Sequence, residues 1–413
     1  MKNRAEHNLI LRAAAAAVSA LFLTACGNSG DTAPESFTII SDGTSMVTEV
    51  TTTEQTTEPD KYAGVSETQL YVPQHMVTKY ASLDYDERMQ DVYNEVVDTM
   101  VSFKEKSFIP LTISVEDYVR VLETVRCEQL MLFYLQNRSA GDFNNAAKTY
   151  EMNFSYKYSI KDVNIMLMKT EEAAAEIMQL VSRNMSDYEK VKIFHDYLVL
   201  NVESSTDNEF ADSIYGALVE KKALCEGYAK AFSYLCNIAG IENMIVTGYT
   251  DVDHMWNMVR IDDSWYHVDV GWDKPAAALA EKYPDMVMYQ YFLADDTVIE
   301  NNRIISNMLC DPPKADNDSG NYFVAEEKYA YDYEQALEII EDCCRRCVDT
   351  GDKYFMLKLD SSNLYLQTTS QLIKPDENGV SDIDKMMERM NYHGKISYID
   401  YYKGYRIIIF VME

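Results

Sequence analysis

A cysteine, a histidine and an aspartate stand in that order in the middle of the chain. Cys225 lies in "ALCEGYAKAF", and His254 and Asp269 lie in "DHMWNMVRIDDSWYHVDVGWDKP". Together these side chains can carry acyl transfer: a thiolate attacks a carbonyl, an imidazole moves the proton, and a carboxylate orients the imidazole. That chemistry places two demands on the fold. The thiol must sit where its ionised form is favoured, and the ring and the carboxylate must be held together. Ala229, Phe232, Cys236 and Ala239 recur at helical spacing after Cys225, which predicts a helix that opens at the cysteine. A helix N-terminus offers unpaired N–H groups and partial positive charge. Both favour a thiolate, and the N–H groups can also receive an oxyanion. Glu226 reads as an ordinary first-turn acid.

The ring and the carboxylate lie on a predicted hairpin. His254, Trp256, Met258 and Arg260 alternate with Met255, Asn257, Val259 and Ile261, the period of a strand. Asp262-Asp263 marks a turn, and a second strand runs from Trp265 to Val270. With the two aspartates as the turn, Trp256 faces Asp269, and His254 lies diagonally from it on the same face, within reach of a long side chain. Asp-Asp is a poorer two-residue turn than Asp-Gly, and a longer loop would shift the register. Trp256 is placed beside the site as a substrate-binding residue that keeps water out. Asn257 points to the opposite face and reads as structural. So does His195, which sits among Val191, Phe194 and Leu198.

The same hairpin admits a rival chemistry. His254, His267 and Asp269 share one face and match a two-histidine, one-carboxylate metal site. That reading leaves Cys225 and its helix without a use, so neither a metal nor an organic cofactor is expected. Cys343, Cys344 and Cys347 also suggest a metal. However, Ala336, Ile339, Ile340, Cys343 and Cys347 share one helical face, and no histidine at zinc spacing completes a set, so they read as core.

The two segments, read together, carry a family likeness. "ALCEGYAKAFSYLCNIAGIENMIVTGYT" followed by "HMWNMVRIDDSWYHVDVGWD" resembles the transglutaminase-like superfamily, and "YEKVKIFHDYLVLNV", "YGALVEKKALC" and "YFLADD" are similar to its bacterial surface members. The likeness covers Thr170 to Asp311, about a third of the chain. It implies a papain-like α+β core with Cys225 as nucleophile, His254 as acid–base and Asp269 as orienter. Two positions depart from the family's habit: Ala223 stands where it often has Gly, and Gly271 where it often has Thr. For the flanking oxyanion donor of the substrate site, Tyr215 is the candidate. The expected activity is acyl transfer on a peptide or protein amide through a thioester, as a peptidase or amidase or as a transglutaminase. The alternative is a non-catalytic surface binding module that keeps the fold.

Length and charge frame these expectations. The chain has 413 residues, 67 of them acidic and 37 basic, for a formal net charge of -30. Such acidity argues against nucleic acid as a partner, whose phosphates need Lys and Arg. Lys2, Arg4 and Arg12 precede the apolar run Ala13 to Leu23, and Leu23-Thr24-Ala25-Cys26-Gly27 follows. This resembles a lipoprotein signal over residues 1–25, with Cys26 as the lipidated N-terminus that anchors the protein at a bacterial membrane on its extracytoplasmic face. Residues 26–60 are rich in Thr, Ser, Glu and Asp and read as a disordered tether that holds the folded part roughly 30 Å from its anchor. Residues 61–170 read as a mostly helical N-terminal region and 171–312 as the catalytic core. Residues 320–413 read as a small α/β module: helix Tyr333 to Cys347, strand Tyr354 to Leu359, helix Ile383 to Met390, and a terminal hairpin.

Overall fold

The structure, a computed structural model, describes residues 61–110, 112–144 and 149–413. The expected signal peptide, Cys26 and the tether lie outside the described residues. No helix among the described residues is long and apolar enough to cross a membrane.

The N-terminal region opens on α1 (Glu87–Val101), capped by the Asp86 side chain, and β1 (Lys106–Pro110). In α2 (Val115–Glu128), Ser114 and Asp117 form a capping box, so two orphan N–H groups are satisfied reciprocally. β2 (Leu135–Asn144) and β3 (Thr149–Tyr156) join β1 in a three-stranded antiparallel sheet of order β1-β3-β2. The sequence pattern also carries α2 on to Leu135, but the helix ends at Glu128. Leu130, Met131 and Tyr134 instead turn into the main core.

That core follows α3 (Ile160–Met178) and α4 (Asp187–Asn201). α5 (Cys225–Ala239) lies against an antiparallel sheet of β4 (Asn243–Tyr249), β5 (Asp253–Ile261), β6 (Ser264–Val268), β7 (Phe292–Ala294) and β8 (Ile304–Ile305), in the order β8-β4-β5-β6-β7. α5 is fixed on the sheet by Asn257, whose Nδ2 donates to the Ala229 carbonyl at 3.0 Å. The opposite-face placement of Asn257 is thus a helix-to-sheet tie. The result is an α+β architecture.

The C-terminal module comprises α6 (Tyr333–Thr350), β9 (Tyr354–Leu359), α7 (Ser362–Gln371), α8 (Asp382–Met390), β10 (Ile396–Tyr402) and β11 (Ile407–Met412). The sequence pattern does not announce α7, a largely polar helix that buries Leu364, Tyr365 and Thr368. β11 sits between β9 and β10 and alternates between two cores. Ile407, Ile409 and Val411 face the main core, while Ile408 and Phe410 join the module's own core, where Cys343, Cys344 and Cys347 also pack. Tyr322 and Phe323 belong to the main core, so the module's own core begins at Ala330.

Phe410 is fully buried and stacks on Phe355 with ring centroids 4.9 Å apart. Phe410→Ala is expected to cost about 3–5 kcal/mol through lost burial and the cavity left behind. Urea unfolding checks this: the midpoint should fall while the slope stays near that of the parent.

Candidate active site

The hairpin closes on Asp262 and Asp263, with φ of 48° and 65°. Positive φ at both positions is what a type I′ turn needs, and Asp tolerates that region better than most residues. The register follows: Ile261 faces Ser264, Arg260 faces Trp265, and the pairs run on to Asn257 opposite Val268. One step further puts Trp256 beside Asp269 and His254 on the diagonal. The structure brings these together, with His254 Nε2 2.7 Å from Asp269 Oδ2 and both side chains buried.

A residue absent from the sequence reading completes this contact. Arg303 is 3% exposed, and its Nη2 donates to the same Asp269 Oδ2 at 2.5 Å. Arg303 precedes β8, which pairs with β4 opposite Gly248, and Gly248 in turn pairs with His254. A Cβ on Gly248 would lie 2.5 Å from the Ile304 carbonyl oxygen and 2.6 Å from the Trp256 ring, so only glycine lets these groups close over the strand. The guanidinium lies 3.9 Å from the Tyr291 ring centre and 4.6 Å from that of Trp272, at cation–π distances. Burial alone would push the Asp269 carboxyl up, but the charges of His254 and Arg303 outweigh it and hold it at about 2.

Cys225 is the first residue of α5 and half-buried. The helices α1 to α4 all have a capping side chain at their N-termini. α5 has Leu224 there, which supplies none. Its N-terminal dipole and N–H groups are therefore not spent on a cap side chain. Glu226 is no ordinary surface acid. It is held by Arg126 of α2 at 3.1 Å and by Lys230 at 2.7 Å; burial opposes its charge, yet these two cations keep its carboxyl below the usual range. Gly271 lies where the first turn of α5 and Asp269 converge: a Cβ there would meet Tyr228 at 3.6 Å and Asp269 Oδ1 at 3.9 Å.

Residues 174–270, which include Cys225, His254 and Asp269, match the family model described as transglutaminase-like superfamily. They form a transglutaminase-like domain. Among curated proteins the chain is 27% identical over 112 residues to the kyphoscoliosis peptidase of Homo sapiens, covering 23% of this chain and 17% of that protein. It is 23% identical over 161 residues to the kyphoscoliosis peptidase of Mus musculus, covering 34% and 24%. The chain thus spans about a fifth of the length of the curated relatives it matches. A solved structure described as a TGase is similar at 15% identity, over 36% of this chain and 49% of that one, with a TM-score of 0.23.

Other sequence-marked residues of the transglutaminase-like domain fall in different places. Trp256 needs correction as a substrate-binding residue. It is 1% exposed, stacks on His254 with centroids 5.7 Å apart, and donates from Nε1 to His267 Nδ1 at 3.0 Å. It supports the ring from behind. Trp272, 39% exposed and edge-on to His254 at 5.8 Å, is the aromatic residue that faces outward. Tyr215 packs its ring against Phe133 and Phe210. Because an indole can only donate, His267 accepts at Nδ1 and offers its Nε2 proton to Asp296 at 3.0 Å. Both ring nitrogens are thereby engaged. Among the described residues, no three His, Cys, Asp or Glu side chains are arranged to hold a metal ion. His195 is buried between Asp196 at 3.0 Å and Asp273 at 3.1 Å, and burial pushes the Asp273 carboxyl up to about 6.

The depressed Asp269 carboxyl sets an acid limit. A carboxylate whose folded value lies below its unfolded one contributes stability above the unfolded value, and that stability is lost as pH falls through the folded value. For Asp269 the window runs from the ordinary 3.8 down to about 2. Asp269→Asn is expected to flatten the fall in unfolding free energy across this window, even though it lowers stability at neutral pH by leaving Arg303 unpaired. Urea unfolding at both ends of the window checks the slope.

Proposed function

We propose that this protein is a cysteine enzyme of acyl transfer acting on peptide or protein amides. The observation that carries the reading is the buried His254–Asp269 hydrogen bond, in a match that also contains a cysteine at the start of a helix without a capping side chain. In its reduced form, the Cys225 thiolate attacks the amide carbonyl carbon. N–H groups at the start of α5 receive the oxyanion. The C–N bond then breaks, the imidazolium of His254 gives its proton to the leaving amine, and a thioester remains on Cys225. Water resolves the thioester to a carboxylic acid, with His254 taking its proton; an amine resolves it to a new amide instead. Asp269 keeps the ring oriented throughout. The curated relatives carry the name peptidase, which favours water as the acceptor.

Location belongs to the same reading. Cys26 is the lipid-bearing residue, and residues 26–60 tether the enzyme at the outer face of a bacterial membrane. The wild type is expected in the membrane fraction of a bacterial host, with Cys26→Ala released or unprocessed. A soluble wild type with an unmodified N-terminus would remove the anchor.

The chemistry is tested by alkylation and turnover on the reduced protein. Burial pushes the Cys127 thiol up to about 12 and the Cys236 thiol well above its ordinary value, so neither competes near neutral pH. Limiting iodoacetamide should label Cys225 first, and His254→Ala should slow that labelling on the order of tenfold, because a free cysteine has a pKa of about 8.5. Incubation with a mixed peptide library and a free amine, read by mass spectrometry, should give shortened or amine-coupled peptides that Cys225→Ser abolishes. Labelling of Cys225 no faster than Cys127, indifferent to His254→Ala, would leave the binding-module alternative in place.

A further inference from the structure

Arg303 shares the carboxylate that orients His254, and the acyl-transfer reading gives it no task. We propose that Arg303 is a positioning residue of the triad. It grips Asp269 by the oxygen that faces His254, and it cancels the carboxylate's charge, so that Asp269 orients the ring without placing net negative charge beside the thiolate. This inference rests on the acyl-transfer reading.

A count of charges shows what the arginine changes. With Cys225 as thiolate and His254 as imidazolium, Asp269 and Arg303 bring the net charge of the four groups to zero. Without Arg303 the set carries one negative charge, and with Asp269 made neutral it carries one positive. A buried group of charges is tolerated when it is balanced and hydrogen-bonded, and leaving one partner uncompensated is costly. The geometry is built for this balance. Asn302 accepts from Arg303 Nη1 at 2.6 Å and donates to the Tyr291 hydroxyl at 3.0 Å, and that hydroxyl donates to Tyr405 at 2.9 Å. Tyr291 in turn lays its ring against the guanidinium. The guanidinium is thus clamped on one side by an aromatic face and on the other by Asp269.

The other groups around it do not supply the charge. Asp273, one turn beyond Asp269, is engaged by His195 and by the Tyr291 backbone N–H at 3.0 Å. His267 is turned toward Asp296, and Lys230 is held by Glu226. The hydroxyls of Tyr291 and Tyr405 bond each other. Arg303 is the cation that bonds Asp269 directly.

The two sides of the balance give opposite signs. Removing the cation disfavours the thiolate, so Arg303→Met should move the pH midpoint of Cys225 labelling upward, by about one unit in a partly screened interior. Asp269→Asn, with Arg303 kept, should move it downward. The pair Asp269→Asn with Arg303→Met should return it toward the wild type, and Arg303→Lys should stay near it. A residue that only packed would shift Arg303→Met and Asp269→Asn in the same direction, with no recovery in the pair. The measurement is iodoacetamide labelling of Cys225 in the reduced full-length protein across pH, read by mass spectrometry. If Arg303→Met fails to fold, the comparison of Asp269→Asn with the pair still decides: an upward return supports the proposal, and no return overturns it. An unshifted midpoint in folded Arg303→Met also overturns it. If wild-type Cys225 shows no His254-dependent labelling at all, the acyl-transfer reading itself falls, and this one with it.

Discussion

One carboxylate oxygen, Asp269 Oδ2, accepts from both His254 and Arg303, and much of the domain is arranged so that this can happen out of water. Burying a charge is expensive unless its partners arrive with good geometry. Here they arrive from three separated stretches of chain. The hairpin delivers the ring and the carboxylate in a fixed register. A two-residue edge strand delivers the arginine across a glycine that has no Cβ to block it. Tyr291, just before β7, supplies the aromatic face. Loss of the carboxylate or of the arginine leaves a charge stranded in the interior.

Much of this was legible in the sequence, and the reasons differ by element. The hairpin could be read because period-two alternation and a two-residue turn fix each other: once Asp262 and Asp263 are the turn, every pair back to Trp256 follows. Cys225 could be placed because apolar spacing marks a helix that starts there. Arg303 could not be read. It lies in "NNRIIS", where no periodicity signals a strand, and its approach to Asp269 depends on Gly248, a residue in another strand. Trp256 was seen in the right place but with its exposure misjudged, since strand periodicity assigns a face without saying how deeply that face is covered. β1 and β2 were missed because short strands of mixed polarity look like loops. α7 was missed because only three of its residues are buried; its one clear signal was Ser361, which caps the first turn.

A second set of buried charges ties the N-terminal region to the nucleophile's helix. Glu226 follows Cys225 directly and is gripped by Arg126 from α2, which also holds Glu123 at 3.0 Å. Thr78 makes a second link toward the far end of the helix, where its hydroxyl accepts from Asn237 Nδ2 at 2.8 Å. α5 is therefore held from both ends by residues outside the family match, which begins at residue 174. The flanking region fixes the orientation of the helix that carries the thiol.

The double-faced strand β11 has a consequence for the order in which the chain assembles. Ile407, Ile409 and Val411 fill the main core, and Tyr405 joins the hydroxyl of Tyr291. More than a hundred positions separate these residues from Asp269. Contacts between such distant parts of a chain form late and slowly, because the loop entropy must be overcome before they gain anything. During synthesis, the hairpin and α5 can meet long before the wall behind Tyr291 exists. The pocket of charge around Asp269 is then among the last features to be sealed from water, so a nascent chain would carry its nucleophile and its hairpin for some time before it carried a finished electrostatic environment for them.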